Sequence, residues 1–170
     1  MTLPEQERER FCQVLHHSRT SLYRLAFSIT RNSSDAQEAV AEAVCRAYER
    51  YPQLREKEKL PRWLLKITAN EARRLCQRRG RTVSLDDLPT EPAIPGRETG
   101  DDTLWQAVQT LPRDQREAVV LFYYEDLPTE EIARIVGTSP GAVRVRLSRA
   151  REKLRSILKE GDYGLSLIHI

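Results

Sequence analysis

Apolar residues recur at spacings of three, four or seven through most of this chain, the period of amphipathic helices. In the first stretch, from about 4 to 31, Phe11, Leu15, Leu22, Leu25 and Ile29 mark one face. Asn32-Ser33-Ser34-Asp35 reads as a turn and a helix N-cap. The helix that follows, to about 51, carries a stripe of Ala36, Ala39, Val40, Ala43, Val44, Ala47 and Tyr48, whose small members allow close helix packing. Pro52 interrupts the pattern, and residues 55–59 (REKEK) are expected to form a charged loop. Leu60-Pro61 opens a third helix, to about 79, with Trp63, Leu64, Ile67, Ala72 and Leu75 expected inward.

Residues 82–100 break the periodicity. Pro89, Pro92, Pro95, Gly96 and Gly100 deny regular structure, and Asp86, Asp87, Glu91 and Glu98 make the stretch an acidic linker. Beyond it, a helix from 101 or 102 places Leu104, Trp105, Val108 and Leu111 inward. Another, opened by Pro112, is expected to supply Ala118, Val119, Leu121, Phe122 and Tyr123 to a core. The last periodic stretch reads as two helices around a tight turn. Thr129 is the expected N-cap, with Glu130 and Glu131 in the first turn, where the helix dipole favours acid. Gly137 stands where a helix ends in a left-handed residue, and Ser139-Pro140 restarts one. Val143, Leu147, Leu154 and Leu158 form the buried stripe of that second helix. Arg144, Arg146, Arg149, Arg151, Lys153 and Arg155 dominate its outer side. Short helix, glycine turn and basic second helix, in that order, match a DNA-binding helix-turn-helix. The expected fold is therefore all-α: two small helical domains, 5–81 and 101–160, joined by the flexible acidic linker and ending in the helix-turn-helix.

Composition narrows the function. With 39% hydrophobic and 31% charged residues, small helical units suit the chain better than one large core. The net charge of +3 conceals an uneven distribution, with arginines clustered at 73–81 and 144–155 and an acidic middle. The three cysteines lie far apart without a CxxC, as in reduced cytosolic proteins. No apolar run approaches the roughly 20 residues that span a bilayer, and the start MTLPEQERER lacks the features of a signal peptide. A cytoplasmic protein without membrane insertion is expected. Cys12 and His16 share a helix face, but no second ligand pair follows, so neither metal nor cofactor is expected. No glycine-rich phosphate loop or GxSxG is present, and His16, His17 and His169 have no catalytic arrangement, which argues against an enzyme. Basic residues beside Trp63 on the third helix suit nucleic acid, and the acidic face of the second suits a basic partner.

Three stretches resemble one family. DAQEAVAEAVCRAYERY, LPRWLLKITANEARRLCQRRGR and LPRDQREAVVLFYYEDLPTEEIARIVGTSPGAVRVRLSRAREKL resemble, in this order, the polymerase-docking helix, the −10 segment with its R-x-W-L-x-x-I-x-x-N pattern, and region 4 of bacterial sigma factors. The resemblance is to the extracytoplasmic-function (ECF) group of the sigma-70 family. It implies a non-enzymatic subunit that binds core RNA polymerase and directs promoter recognition, melting and initiation. Asp35, Glu38 and Glu42 would dock on the clamp helices of the largest subunit, and region 4 would rest on the flap of the second-largest. Arg62, Trp63, Asn70, Arg73, Arg74 and Arg78 would serve the −10 element, with Asn70 helping to capture a flipped base and the loop 58–62 completing its pocket. Ser139, Arg144, Val145, Arg146, Ser148 and Arg149 would serve the −35 element. Arg144, Val145 and Ser148 fall at base-facing positions, and Arg146 and Arg149 at backbone-facing ones. The linker would thread toward the RNA exit path. The resemblance also implies an anti-sigma factor as partner, and association with the nucleoid within the holoenzyme. The other reading of a terminal helix-turn-helix, a stand-alone regulator on an operator, lacks support in the first half, where no strand–helix alternation indicates a phosphoacceptor domain. The last six residues, LSLIHI, follow a glycine break and are expected to be a non-native tail encoded by a sequencing adapter.

Overall fold

A computed structural model describes residues 3–80 and 102–160. Every regular element among them is helical, and they divide into two compact units. The linker and the LSLIHI tail lie outside the described residues.

The first unit contains α1 (Glu5–Thr30), α2 (Ser33–Arg50) and α3 (Leu60–Arg78), each packed on the other two. Arg31 ends α1 in the left-handed region (φ 53°), and its amide returns to the Phe27 carbonyl. Asn32 caps α2 by accepting the Asp35 amide at 2.9 Å. Ala36, Ala39, Ala43 and Ala47 are all buried, so α2 meets its neighbours with almost no side chain between the backbones. Leu22, Leu25 and Ile29 of α1 and Leu60, Leu64 and Leu75 of α3 fill the remaining core. Leu15 is only half-buried.

Pro52 does not simply end order. A short 3₁₀ turn, Tyr51–Gln53, follows α2 and buries Tyr51 completely. Phe11 meets Tyr48 and Tyr51 edge-on, both at 5.4 Å between centroids. Lys57 covers the Tyr51 ring and donates to its carbonyl at 2.5 Å. The expected charged loop likewise contains a 3₁₀ turn, Lys57–Lys59, that runs directly into α3. Trp63, expected inward, is half-buried. It sits one position off the Leu60–Leu64–Ile67 stripe and so reaches only the edge of the core.

Glu71 on α3 is the buried charge among the described residues of this unit. Its carboxylate lies 2.7 Å from Arg46 Nε on α2 and 3.6 Å from Arg74 Nη1, with a side chain only 7% exposed. Removing one partner of such a pair leaves a charge without compensation in a poor solvent. Arg46→Met is expected to destabilise the unit by about 1–2 kcal/mol, a reduced value because Arg46 is partly solvated and Arg74 remains nearby. Adding Glu71→Leu should restore part of the loss. Urea unfolding of the full chain followed by Trp63 fluorescence, in a Trp105→Phe background, measures both.

The second unit contains α4 (Asp102–Gln109), α5 (Arg113–Val119), α6 (Thr129–Val136) and α7 (Pro140–Glu160). The long α7 packs against α4, α5 and α6. Trp105, Val108 and Leu111 are buried, whereas Leu104 is half-exposed. After α5 the chain widens into a π turn, Val120–Tyr124, closed by Glu125 N–H on the Val120 carbonyl at 3.2 Å. Val120 and Leu121 stay buried, but the extra residue in the turn carries Phe122 and Tyr123 to the margin of the core. Gln115, Arg116 and Glu117 are buried as well, and Arg116 donates to the Leu111 carbonyl at 2.6 Å.

The Thr129 cap does not form. Pro128 is the N-cap residue, without a side-chain cap bond, and its carbonyl accepts the Glu131 and Ile132 amides at 3.0 Å each. Thr129 is already helical, so its hydroxyl is no longer placed to cap. Gly137 does end α6 with φ 76°, its amide bonded to the Ala133 carbonyl. A Cβ there would meet no atom within 4 Å, so the requirement for glycine is backbone strain alone.

Candidate nucleic-acid and polymerase interfaces

The turn at Gly137 and the cap at Ser139 set the direction of α7. Ser139 Oγ accepts the Ala142 amide at 3.1 Å, which leaves its hydroxyl hydrogen to donate outward. Val143, Leu147, Ala150, Leu154 and Leu158 are buried along one stripe of the helix. Helical periodicity then fixes what lies on the opposite side. Arg144, Val145, Ser148 and Arg149 are all exposed there.

Two of the expected outward arginines are held by the protein. Arg146 is half-buried, with Nε 3.8 Å from Asp114 on α5. This contact braces α7 against α5. Arg151 donates through Nε to the Tyr123 hydroxyl at 2.6 Å, and its guanidinium covers Phe122 and Tyr123 at 5.8 and 5.7 Å. It anchors the π turn to α7 and is removed from the solvated basic face. The π turn was invisible in the periodicity, and so was this role.

On α3, Arg62, Lys66, Asn70 and Arg73 follow at spacings of four, four and three, which places them along one side. Arg62, Lys66 and Asn70 are exposed and Arg73 is half-buried. Trp63 borders this row. Lys66, absent from the expected site, stands between Arg62 and Asn70, and the same spacing would have found it.

Of the remaining expected residues, Asp35, Glu38 and Arg78 meet charges across α2 and the end of α3, and Glu42 meets one on its own helix. Arg79, just beyond α3, lies 2.9 Å from Asp35 and 3.4 Å from Glu38, and Arg78 lies 3.8 Å from Glu38. Glu42 lies 3.5 Å from Arg46. Asp35 is mostly covered, at 13% side-chain exposure, whereas Glu38 and Glu42 are open. The acidic face of α2 and the basic end of α3 therefore neutralise each other in part. Sequence placed these charges on separate helices and contained no sign that they touch. Among the described residues no group of three or more His, Cys, Asp or Glu side chains could hold a metal ion, and no helix is long and apolar enough to cross a membrane.

Two helical units, one with a basic α3 face and one with a helix-turn-helix, define a DNA-binding protein of transcription. Comparison with known proteins specifies which. Residues 14–82 match sigma-70 region 2, and residues 101–154 match sigma-70 region 4. The chain is 32% identical over 142 residues to RNA polymerase sigma factor SigV of Bacillus subtilis, covering 82% of this chain and 86% of that protein. It is 31% identical to the ECF RNA polymerase sigma factor SigE of Mycolicibacterium smegmatis, over 81% of this chain but only 57% of that longer protein. The fold resembles the sigma factor RpoE from Bartonella quintana, solved in complex with the anti-sigma factor NepR, with a TM-score of 0.72 and 27% identity over 92% of this chain and 98% of that one. The chain belongs to the sigma-70 family of RNA polymerase sigma factors, in its ECF group. It is a transcription initiation factor and not an enzyme: it binds core RNA polymerase and directs it to promoter DNA.

Proposed function

We propose that the work of initiation is divided among three faces of the chain. A unit of residues 5–81 docks on polymerase and handles the −10 element. A unit of residues 101–160 reads the −35 element, and residues 82–100 join them. The observation that carries this reading is the outer side of α7, where exposed Arg144, Val145, Ser148 and Arg149 stand opposite the buried stripe. That helix presents hydrogen-bonding and apolar groups at the width a major groove admits. Ser139 and Arg146, at its start and flank, hold the phosphate backbone and the helix's own orientation.

On α3, Arg62, Arg73 and Arg74 neutralise phosphates, with Lys66 added to the set. Asn70 accepts a base turned out of the duplex beside Trp63. Extrusion costs a few kcal/mol, so polar partners for the flipped base must offset it. Arg78 joins them once its pairing with Glu38 is given up.

Glu38 and Glu42, with Asp35 supporting them through Arg79, dock on the clamp helices of the largest polymerase subunit. The second unit rests on the flap of the second-largest. An anti-sigma factor is the further partner, by analogy with the complex formed by the Bartonella protein. The protein acts in the cytoplasm and joins the nucleoid as part of the holoenzyme.

Run-off transcription with purified core polymerase on a genomic promoter pool tests the reading and returns the recognised motif. Asn70→Ala should reduce open-complex formation on duplex promoters by about tenfold or more, the equivalent of a lost few-kcal/mol compensation. Binding to a promoter already melted at −10 should suffer much less. Equal loss on both templates removes Asn70 from base capture.

A further inference from the structure

We infer that Val145 reads the 5-methyl group of one thymine in the −35 element, and that the turn preceding it is kept small so that the methyl can reach it. The inference rests on the assignment of α7 to the −35 element.

Val145 is the one large hydrophobic side chain classed as exposed among the described residues, at 48% of its surface. Of the other large apolar residues of α7, Val143, Leu147, Leu154 and Leu158 are at most 2% exposed and Ile157 is half-buried. At about 100° per residue, Val145 lies about 180° around the helix from the centre of that stripe. It is neither a core residue at the margin nor the lid of a satellite cluster. It points straight away from the protein.

Its surroundings are equally specific. Helical side chains lean toward the N-terminus, so the surface beside Val145 belongs to the turn of Gly141 and Ala142. Gly141 is the second residue of α7, within its first turn. No internal packing explains it: a Cβ there would meet only Ser139 Oγ and Arg144 Nη2, both at an ordinary 3.9 Å. With Ser148 one turn on, Val145 rises from a low surface bordered by Arg144 and Arg149.

The chemistry selects the ligand. A branched alkyl group has no hydrogen bond to offer. In the major groove the thymine methyl is the apolar group on a base edge that it can cover, while guanine, cytosine and adenine present polar atoms that a valine would leave unpaired. Covering one methyl is worth about fourfold in affinity.

The test uses the full chain assembled with core polymerase, on a promoter recovered from the pool above. Each −35 thymine, on either strand, is replaced singly by deoxyuridine, which removes only the methyl group. For the unaltered protein, one such replacement should weaken binding about fourfold and the others little. Val145→Ala should weaken binding to the thymine promoter by a similar factor and become indifferent to that same replacement. Alanine is a better helix former than valine, and the position is exposed, so the variant keeps its fold. The inference is overturned if no deoxyuridine replacement matters, if the −35 motif contains no thymine, or if Val145→Ala remains as sensitive as the unaltered protein. A scrambled −35 element separates the two levels. If scrambling is harmless, the assignment of α7 to −35 is wrong; if scrambling abolishes binding while deoxyuridine does nothing, only the methyl contact is wrong.

Discussion

Leu147→Ala is expected to destabilise the second unit by about 2–5 kcal/mol, the range for deleting a fully buried leucine side chain. Leu147 is 2% exposed and lies in the middle of the α7 stripe, between Val143 and Ala150. α7 is the helix against which α4, α5 and α6 all pack, so a cavity there is shared by the whole unit. A small helical unit has little stability to spare, since domains typically hold about 5–15 kcal/mol in total. The two tryptophans make the effect separable. Trp63 is in the first unit and Trp105, buried against Tyr124 at 5.5 Å, is in the second. In a Trp63→Phe background, the Trp105 transition in urea should shift to lower denaturant. In a Trp105→Phe background, the Trp63 transition should stay in place. Movement of both would show that the two units unfold as one. Promoter binding through −35 should fall with the Trp105 transition, although Leu147 touches no DNA.

Arg144→Ala is expected to cost about 1–3 kcal/mol of promoter binding, roughly five- to 150-fold, concentrated at a single −35 base pair. Arg144 is exposed beside Val145, and a guanidinium recognises guanine through two parallel hydrogen bonds. The loss should therefore appear on promoters with the preferred base and nearly vanish on those already substituted there. Arg149→Ala supplies the contrast. As a phosphate contact it should weaken every promoter by a similar factor and reduce the steepness of the salt dependence by about one ion. Binding measured on a set of single −35 substitutions, at two or more salt concentrations, distinguishes them. A uniform loss for Arg144→Ala would make it a phosphate contact.

Exposed pairs such as Arg78 with Glu38 are individually weak, commonly worth under about 1 kcal/mol. They give way to a strongly charged partner. Asp35 is better enclosed, and its closer approach to the exposed Arg79, 2.9 Å, ties the end of α3 to the start of α2.

Much of this molecule was legible without coordinates, and the legible parts share a cause. Helical periodicity is a local property, and so are caps and breaks. The α2 alanine stripe, the Asn32 cluster, the left-handed Gly137, the Ser139 cap and the α7 stripe each depend on residues within about two turns of one another. The family assignment followed from the same kind of information, three motifs in a fixed order. Even so, the cap of α6 shows a limit of local reading. Thr129 is the cap that the sequence suggests, and only the backbone path makes Pro128 the cap and threonine the first helical residue.

What the chain's order of residues determined was therefore the helices, their buried sides and the family. What only the tertiary structure decided was which charges are available. Arg146 is tied to Asp114, Arg151 to Tyr123, Arg79 to Asp35 and Arg46 to Glu71. Each pair joins residues on separate elements. The approach of those elements depends on the packing of the core between them, not on any local pattern. The π turn belongs to the same category, since it redirects Phe122 and Tyr123 toward Arg151, 28 residues further on. Periodicity can say that an arginine faces outward; whether it faces water, a carboxylate or an aromatic ring is set by the neighbouring helix.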